Sequence, residues 1–597
     1  MLKSSPFVAP IWSAGSGSET PSPRNVPIDM KVSVSELIVR YLERLGIEVI
    51  FGMPGAHVLP IYDQLHGSRV RSVLVKHEQG AAFMAGGYAR VSHQIAACIA
   101  TAGPGATNLV TGIANAYAER LPVLVITGET STYIFGKGGL QESSGEGGAI
   151  DQGSLFSGIT RYHKLIERTD YLGQVLNQAT RALFSRDSGP VLLSIPFNVQ
   201  KEWVDVEVLD SLPIPRQDPR YYAPAGALEE LASLIQAART PVIVAGYGAI
   251  KAGARGVVAR LSEDQSIPVA SSLKAKGVVS EGSELSLGCL GVTSNGAAYR
   301  YIVEHADLVI FLGAGFNERT SYLWDSKLLA GKKVAQVDRD AAQLSKVFKA
   351  DVAIHGDIRD VLTELLAVLE SDVASRGVAS LRLNKLAGHR QAVNQAPAGA
   401  ETTKEARPGA QFRLMEMFFA GLAAHFPEDA MIFDDNIVFA QSYFDVSRAN
   451  HYFPNSGISS LGHAIPAAIG ARFYSQIQAK NSPTFAILGD GGFQMCCMEL
   501  MTAVNYAIPL NVVVINNASM SLIRKNQFQL YGERYIDCDF INPDFHLLAQ
   551  SFGIKHYKIE CCADIDELFA HADLEGSINL IEILLDKHAF PTYLSAR

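Results

Sequence analysis

The sequence predicts an α/β protein that consists of three doubly wound domains, each with a parallel β-sheet. Strand-sized apolar runs alternate with helical runs along most of the chain, which is the pattern of parallel strands joined by crossover helices. Two aperiodic stretches, rich in Pro or in Ala, divide this alternation into three units. The chain has 597 residues, of which 48% are hydrophobic, and it can therefore form several large cores.

The first predicted unit covers residues 31–200. An amphipathic segment, SELIVRYLERLG, leads into the apolar strands EVIFGMPG and SVLVKHE, and a small-residue helix, QGAAFMAGGYAR, follows. The alternation continues through AACIATAGPGATN and LPVLVITGE and ends with the strand GPVLLSIPFNV. Residues 1–30 are rich in Ser, Pro and Gly and lack the apolar core of a secretory signal. We predict that they form a mobile arm.

Two linkers separate the later units. Residues 201–225 are rich in Pro, and residues 371–408 are rich in Ala, Arg and Gly. Between them, residues 226–370 form the second unit, with strands predicted at PVIVAGYG, ADLVIFLGAGF and KKVAQVDRD. The third unit covers residues 409–597, with strands at AMIFDD, TFAILGD, NVVVINN and NLIEILL.

Composition argues against two broad classes of protein. The 51 Lys and Arg residues against 60 Asp and Glu give a formal charge of −9, which disfavours a nucleic-acid partner. The longest apolar runs have the length of a strand, far below the ~20 residues of a membrane span, so no membrane partner is expected. The seven cysteines show no C-x-x-C spacing, and we predict a reduced, cytoplasmic protein.

The strongest chemical signal is a pair of polar motifs that follow two strands of the third unit. Gly489-Asp490-Gly491 follows the strand TFAIL, and Asn516-Asn517 ends the strand NVVVI. Each motif alone fits an ordinary turn or the polar end of a buried strand. Together they place glycines, a carboxylate and amide oxygens at one sheet edge, where they could hold a diphosphate bridged by Mg²⁺.

This arrangement closely resembles the diphosphate-binding signature of thiamine diphosphate-dependent enzymes. The resemblance implies that Asp490, Asn517 and the main-chain carbonyl of Ser519 hold Mg²⁺. It also implies that the diphosphate domain binds the cofactor through Gly489, Asp490, Gly491, Gly492, Asn517 and Met520. Leu461, in SGISSLGHAIPAAIGAR, matches the large apolar residue that supports the bent cofactor, although the position also fits an ordinary core leucine.

Such enzymes need a carboxylate that hydrogen-bonds the cofactor's aminopyrimidine ring, and the first domain is expected to supply it. Glu78 directly follows a strand and opens a helix, in HEQGAAFMAGGYAR, which matches the family's pyrimidine-binding domain. An acid in the first turn of a helix also complements the helix dipole, so the position has an ordinary explanation as well. The resemblance further implies cofactor contacts from Pro54, Gly105 and Asn108.

The resemblance also suggests groups around the reacting atoms. Gly55 and Ala56 would lie over the reactive carbon, with His57 nearby, although a lone His is more often a packing residue. Gln152, in DQGSLFSGITRYHK, resembles an active-site glutamine, and a solvated loop glutamine is an equal alternative. Glu78, Gly55 and Gln152 are therefore the predicted catalytic residues.

The resemblance extends over nearly the whole chain from about residue 31 and is closest to the acetolactate synthase branch. It implies a pyrimidine-binding, a central Rossmann-like and a diphosphate-binding domain, in that order. The implied activity decarboxylates a 2-oxo acid and adds the acyl carbanion to a second carbonyl compound. Family members pair the pyrimidine domain of one subunit with the diphosphate domain of another, which implies a homodimer or homotetramer. The sequence leaves a regulatory subunit undecided.

Two positions depart from the family's pattern. Asn526 stands where acetolactate synthases carry a Trp that helps to select the acceptor, and the loop at residues 136–152 is longer and richer in Gly than usual. These departures leave a 2-oxo acid decarboxylase, a lyase and an aromatic acyloin synthase open as alternatives. A non-catalytic scaffold on the same fold is disfavoured, because Glu78, Asp490 and Asn517 are intact.

Flavin is an open question for the central domain. The segments LGCLGVTSNGAA, FLGAGFNERT and VDRDAAQL resemble the contacts of a bound FAD in the family's synthases, whereas many relatives keep the fold without a nucleotide. A flavin-dependent enzyme resembling pyruvate oxidase is therefore a further alternative. The turn at residues 245–250 is not a full G-x-G-x-x-G, which argues against a nicotinamide site.

Overall fold

The computed structural model describes residues 31–185, 187–215, 223–370, 382–388, 412–428, 430–447 and 451–590. The predicted mobile arm, residues 1–30, lies outside the described residues, as do parts of both predicted linkers. Three parallel sheets, each with six strands in the described part of the chain, form the framework, and the predicted fold class is confirmed. The predicted domain boundaries stay predictions.

The first sheet has the strand order β3-β2-β4-β5-β7-β6. Its strands are β2 (Val49–Gly52), β3 (Arg71–Leu74), β4 (Ala96–Ala100), β5 (Val123–Glu129), β6 (Tyr162–Leu165) and β7 (Val191–Pro196). The helices are α1 (Val34–Arg44), α2 (Leu59–Leu65), α3 (Glu78–Ser92), α4 (Pro104–Ala118), α5 (Gln152–Ser157) and α6 (Leu172–Phe184). A short antiparallel pair, β1 (Lys31–Ser33) with β8 (Trp203–Asp205), joins the two ends of this domain.

The central sheet has the order β11-β10-β9-β12-β13-β14. Its strands are β9 (Pro241–Ala245), β10 (Val269–Ser271), β11 (Ser286–Cys289), β12 (Leu308–Leu312), β13 (Lys333–Asp338) and β14 (Val352–His355). The helices are α7 (Ala225–Ala237), α8 (Tyr247–Lys251), α9 (Arg255–Gln265), α10 (Ala297–His305) and α11 (Ile358–Glu370). Its central strands are buried on both faces, which explains their continuous apolar runs.

The third sheet has the order β16-β15-β17-β18-β20-β19. Its strands are β15 (Met431–Asp434), β16 (His451–Pro454), β17 (Thr484–Gly489), β18 (Leu510–Asn516), β19 (Lys555–Ile559) and β20 (Ile578–Leu584). The helices are α12 (Arg413–His425), α13 (Val438–Tyr443), α14 (Ala464–Ile477), α15 (Asp490–Cys496), α16 (Leu500–Asn505), α17 (Ser521–Leu530), α18 (Phe545–Phe552) and α19 (Cys562–His571).

Helices α3 and α14 pack closely and join the first domain to the third. Both helices are rich in Ala and Gly and are buried over most of their length. A Cβ added to Gly87 would collide with the carbonyl oxygen of Ala467, and a Cβ added to Gly470 would collide with that of Met84. One continuous apolar core includes residues of both domains around this contact.

No helix in the described part of the chain combines the length and the apolar character needed to cross a membrane. All seven cysteines carry free thiols. The cytoplasmic location stays a prediction.

Replacement of Gly87 by alanine is expected to destabilise the protein, because the added Cβ would push α3 away from α14. Overpacking a tight core typically costs about 1–3 kcal/mol. We therefore expect the Gly87→Ala variant to unfold at a lower temperature than the wild type in a thermal melt.

Gly226→Ala is the matched control. Gly226 lies in α7, is exposed, and an added Cβ there would meet no atom within 4 Å. Alanine favours a helix over glycine by up to about 1 kcal/mol, so this variant should melt at the same or a higher temperature. Equal losses in both variants would contradict the close packing of α3 against α14.

Candidate active site

A cavity of about 260 Å³ opens at the carboxyl edge of the third sheet, where β15, β17 and β18 end. Many of the residues predicted to bind the cofactor and metal line this one cavity: Leu461, Gly489, Asp490, Gly491, Gly492, Asn517, Ser519 and Met520. These residues come from three separate segments of the chain, and the parallel sheet brings them together because its strands end at one edge.

Asp490 is the anionic centre of this cavity. It starts α15 directly after β17, and its side chain is 1% exposed. Its carboxylate accepts hydrogen bonds from the N–H groups of Asn517 (3.1 Å) and Ala518 (2.6 Å) and from Nδ2 of Asn542 (2.8 Å). Burial raises the pKa of Asp490. A cation beside this carboxylate would offset the cost of burying its charge.

The Asn516-Asn517 turn curls around this carboxylate. Ala518 has a φ of 52°, in the left-handed region, and the chain therefore turns sharply after β18. The Oδ1 atom of Asn517 accepts a hydrogen bond from the N–H of Ser519 at 3.2 Å. In the described residues, no three His, Cys, Asp or Glu side chains form a group that could hold a metal ion. The predicted magnesium set uses one carboxylate, one amide oxygen and one main-chain carbonyl instead.

Two glycines allow the backbone to approach a ligand closely at the start of α15. A Cβ on Gly491 would lie 2.7 Å from the sulfur of Met520, and one on Gly492 would lie 3.0 Å from Oδ2 of Asp435. A side chain at either position would therefore force Met520 or Asp435 to move. The backbone N–H groups of this first turn favour an anionic ligand.

The opposite wall of the cavity is apolar. It is lined by Ile437, Val438, Phe439, Ile515, Leu522, Ile523, Leu585 and Ala589. The cavity thus combines a polar end, at Asp490, with an apolar body, which suits an elongated ligand with a charged tail and a ring system.

Asp435 and Asn542 are polar residues of this site that sequence reasoning missed. Asp435 accepts hydrogen bonds from the N–H of Gly462 (2.7 Å) and from Nδ2 of Asn455 (2.8 Å), and it thereby fixes the segment that carries Leu461. Asn542 bonds to both Asp490 and Asn516. The position of Asp435 directly after a strand was a signal comparable to that of Asp490, whereas Asn542 comes from a loop with no such signal.

The first domain gathers a second group of predicted residues. Glu78 is 8% exposed, and its Oε2 atom accepts a hydrogen bond from Nδ2 of Asn108 at 2.9 Å. A Cβ on Gly105 would lie 3.5 Å from Oε1 of Glu78. The N–H groups of Lys76 and His77 donate to Glu499 of the third domain, which fixes the entry to α3.

The segment with Pro54, Gly55 and Ala56 lies beside Thr101. A Cβ on Gly55 would lie 2.5 Å from the Cβ of Thr101, while Pro54 and Ala56 are exposed. The side chain of His57 is buried, its Nδ1 atom lies 3.4 Å from Oγ1 of Thr101, and burial lowers its pKa.

The two glutamines of the segment at residues 141–152 lie in different environments. Gln152 is 2% exposed; its Nε2 atom donates to Thr127 at 2.7 Å and its Oε1 atom accepts from Ser143. Its amide thus points into the interior of the domain. The glutamine beside Thr101 and His57 is Gln141, whose Oε1 atom accepts from Oγ1 of Thr101 at 3.4 Å. Sequence reasoning missed Gln141.

The two groups of residues do not meet within one chain. The residues that line the third-domain cavity all lie between 435 and 589, and none comes from the first domain. Asn526 lies in α17, one turn beyond Ile523 of the cavity wall, and its Oδ1 atom is buried without a hydrogen-bond partner in the described structure.

A larger cavity, of about 490 Å³, lies where all three domains meet. Its basic lining residues are Arg120, Lys251, Lys274, Arg319 and Arg339. Two of the three predicted flavin-contact segments line it, through residues such as Gly313, Gly315, Asn317, Asp338 and Gln343. The third predicted segment, LGCLGVTSNGAA, contributes no lining residue.

Comparison with protein families identifies the class of this protein. Residues 32–149 match the N-terminal TPP binding domain of thiamine pyrophosphate enzymes, residues 228–365 match their central domain, and residues 436–583 match their C-terminal TPP binding domain. The chain therefore belongs to the thiamine pyrophosphate enzyme family. This finding confirms the predicted cofactor, thiamine diphosphate.

Individual relatives narrow the class. The acetolactate synthase large subunit of Lactococcus lactis is 32% identical over 580 residues, 95% of each chain. The probable acetolactate synthase large subunit of Methanocaldococcus jannaschii is 31% identical over 560 residues, 92% of each chain. The acetolactate synthase of Mycobacterium leprae is 32% identical over 565 residues, 92% of this chain and 86% of the relative. The protein is accordingly a thiamine diphosphate-dependent enzyme of the acetolactate synthase type, and the predicted family resemblance is confirmed.

The stability difference between the wild type and Asp435→Asn is expected to depend on pH. Burial raises the pKa of Asp435 from 3.8 to about 7. A raised carboxyl pKa favours the folded state at low pH, and this contribution is lost as the pH rises towards the folded-state pKa. The wild type should therefore lose stability relative to the variant, by up to about 1.4 kcal/mol per pH unit, between pH ~5 and ~7.

Thermal melts of both proteins across this pH range measure the difference. Asp566→Asn, on an exposed face of α19, is the matched control, and its difference from the wild type should stay constant. A constant difference for Asp435→Asn as well would show that this carboxyl is not perturbed by burial.

Proposed function

We propose that this enzyme is a carboligase that decarboxylates a 2-oxo acid and transfers the acyl group to a second carbonyl compound. The single observation that carries the proposal is the cavity in which Asp490, Asn517 and Gly491 lie beside Leu461, in a chain of the acetolactate synthase type. Thiamine diphosphate, when bound, supplies an electron sink for the decarboxylation. The chain's own residues bind the cofactor, orient both substrates and control one proton.

Glu78 is proposed as the group that controls this proton. It is nearly buried, it is the first residue of α3 in the connection from β3, which ends at Leu74, and its Oε2 atom accepts a hydrogen bond from Asn108. A carboxyl group held in this way can donate a hydrogen bond to the cofactor's aminopyrimidine ring when it is protonated and accept one when it is ionised. The alternative reading, a first-turn acid that complements the helix dipole, does not require the contact with Asn108.

Magnesium is proposed as the ion that joins the cofactor's diphosphate to the chain. Mg²⁺ prefers oxygen ligands, and it is commonly held by one or two carboxylates together with phosphate oxygens. Asp490, which follows β17, and Oδ1 of Asn517 with the carbonyl of Ser519, which follow β18, offer such oxygens at one edge of the sheet. The raised pKa of Asp490 supports this proposal, because a cation would stabilise the ionised carboxylate.

A homo-oligomer is proposed as the active form. Glu78 and its neighbours do not line the cavity that holds Asp490 in the same chain. The elements around both groups expose large apolar side chains: Tyr133, Leu140 and Ile150 in the first domain, and Ile523, Phe528 and Ile536 in the third. Pairing of two chains would cover these side chains and bring the two groups together.

Gln141, His57 and Asn526 are proposed to surround the substrates. Gln141 and His57 lie beside Thr101 and Gly55, on the side of the first domain that faces the cofactor in the proposed pairing. Asn526 brings a short amide where the family's synthases carry a Trp. The pocket is therefore expected to differ in shape from that of the branched-chain synthases.

FAD is proposed as the ligand of the large three-domain cavity. The volume of about 490 Å³ and the basic residues around it suit a dinucleotide with a diphosphate. Asp338 ends β13 at the carboxyl edge of the central sheet, which is a position suited to a ribose hydroxyl. Gly248 and Gly313, which carry no side chain, line the cavity at the same sheet edge.

Product analysis tests the proposed function. The purified protein is given thiamine diphosphate and Mg²⁺ and offered pyruvate or larger aliphatic and aromatic 2-oxo acids, with and without aldehydes. Mass spectrometry should detect a product in which a new carbon–carbon bond joins the acyl group of the donor to the carbonyl carbon of the acceptor. Aldehyde and carbon dioxide alone would replace the proposal by a simple decarboxylase.

Glu78→Gln is expected to retain the cofactor and to lose turnover by about 10²–10⁴-fold, the usual contribution of a proton-transfer group. Cofactor binding is measured by equilibrium dialysis and turnover by release of carbon dioxide. Glu229→Gln, on the exposed face of α7 in the central domain, is the matched control and should resemble the wild type. Turnover close to that of the wild type in Glu78→Gln would eliminate the proposed role.

Asp490→Ala is expected to weaken the retention of the cofactor, because the ion loses its charged ligand. A loss of turnover in the loaded enzyme alone is not the expected effect. Removal of metal from the wild type by a chelator should produce the same loss, and added Mg²⁺ should reverse it only in the wild type. Asp566→Ala serves as the control. Normal cofactor retention by Asp490→Ala would place the metal elsewhere.

Asp338→Asn is expected to reduce the amount of flavin that copurifies with the protein, because a ribose hydroxyl loses its acceptor. The absorbance spectrum of the purified protein measures this amount. Anaerobic addition of the 2-oxo acid donor should leave bound flavin oxidised. Bleaching of the flavin would instead indicate an enzyme resembling pyruvate oxidase.

A further inference from the structure

A second cavity at the junction of the three domains has a strongly basic lining. It has a volume of about 210 Å³ and is separate from the cofactor cavity and from the proposed flavin cavity. Its basic residues are Arg90 and His93 from the first domain and Arg255, Lys274 and Lys276 from the central domain. Among the described residues that line it, none is an Asp or a Glu.

Two of the cations at this cavity share one carboxylate. Arg90 lies 3.2 Å from Oε2 of Glu119, and Lys274 lies 3.9 Å from Oε1 of the same residue. One carboxylate therefore serves two cations. Lys276 has its own partner in Glu281, at 2.8 Å. The side chain of Arg90 is 2% exposed, and its buried Nε–H group donates to no partner in the described chain.

The electrostatic environment of the cavity is positive. Burial lowers the pKa of Lys274, and the positive charges of Arg90, Arg120 and Arg319 act in the same direction, against Glu119. Burial also lowers the pKa of Arg255. In both cases burial disfavours the charged form, and an anion in the cavity would favour it.

Aromatic rings hold the Arg90 guanidinium in place. Its Cζ atom lies 5.4 Å from the ring centre of Phe453 and 5.8 Å from that of Tyr247. Both rings line the cavity, together with Tyr452 of the third domain. A planar guanidinium that is fixed by packing loses little side-chain freedom when it binds an oxyanion.

We propose that this cavity binds a compact phosphate dianion, either as free phosphate or as the phosphate group of a small metabolite. Its volume suits a small oxyanion and is less than half that of the proposed flavin cavity. Tyr247 and Lys274 line both cavities and form the wall between them. The proposal does not depend on the proposed carboligase activity, because the cavity shares no lining residue with the cofactor site.

Phosphate in this cavity would tie the three domains together. Arg90 lies at the end of α3, Lys274 lies between β10 and β11, and Phe453 lies in β16. A ligand that contacts all three domains binds the folded arrangement and not the unfolded chain. Its binding should therefore raise the thermal unfolding temperature in a saturable way.

The test uses the full-length protein saturated with thiamine diphosphate, Mg²⁺ and FAD, so that other anion sites are occupied. Inorganic phosphate is titrated at constant ionic strength, with chloride as the comparison salt, and binding is followed by calorimetry and by thermal melts. We expect saturable phosphate binding. Loss of one charged hydrogen-bond donor should weaken it about tenfold or more in Arg255→Gln.

Two control variants locate the site. Arg260→Gln, on the exposed side of the same helix, α9, should bind phosphate like the wild type. Arg339→Gln, which lines only the flavin cavity, should also retain phosphate binding. The proposal would be overturned if Arg339→Gln abolished phosphate binding or if Arg255→Gln left it unchanged. The absence of saturable binding would overturn it as well.

Competition distinguishes the two sources of phosphate. If glycerol 3-phosphate displaces inorganic phosphate with comparable affinity, the cavity accepts the phosphate group of a metabolite. If it does not, the cavity takes free phosphate. Should Arg255→Gln fail to fold, as judged by its circular dichroism, Lys276→Gln with Arg260→Gln as the control repeats the test.

Discussion

The close contact between α3 and α14 is the constraint on which the rest of the structure depends. α3 begins at Glu78, and α14 follows the segment that carries Leu461. The packing of the two helices therefore fixes the relative positions of residues from both halves of the proposed site. At Gly87 and Gly470 the two backbones lie so close that an added Cβ atom would collide with the opposite helix. Because parallel sheets flank the pair, a small shift there would move two sheet edges.

Polar contacts hold α3 at both of its ends. Glu499 accepts hydrogen bonds from the N–H groups that precede α3, and Arg90 in its last turn donates to the carbonyl of Pro454 at 3.0 Å. Arg90 also pairs with Glu119 in the interior. A buried ion pair adds little net stability, but the loss of one partner is costly, so these contacts fix the orientation of α3 more than they stabilise it.

Residues that depend on local position were predictable from the sequence, and residues that depend on distant contacts were not. Asp490 and Asn517 end neighbouring parallel strands, so a strand pattern sufficed to place them at one edge. Gln141 and Gln152 lie in one loop-to-helix segment, and only the fold shows which amide faces Thr101 and which faces Thr127. Asn542 reaches Asp490 from 52 residues away, without any periodic signal.

The parts proposed to anchor the cofactor and the parts proposed to select the substrate differ in their physical character. Asp490 and Asn517 lie at buried strand ends, where the sheet fixes the backbone. Leu140 and Ile523, by contrast, are 73% and 49% exposed in the isolated chain and belong to a glycine-rich loop and to α17. Their final environment depends on what covers them. Cofactor binding can therefore stay constant while the selectivity changes with the loop, with α17 and with the way in which two chains pair.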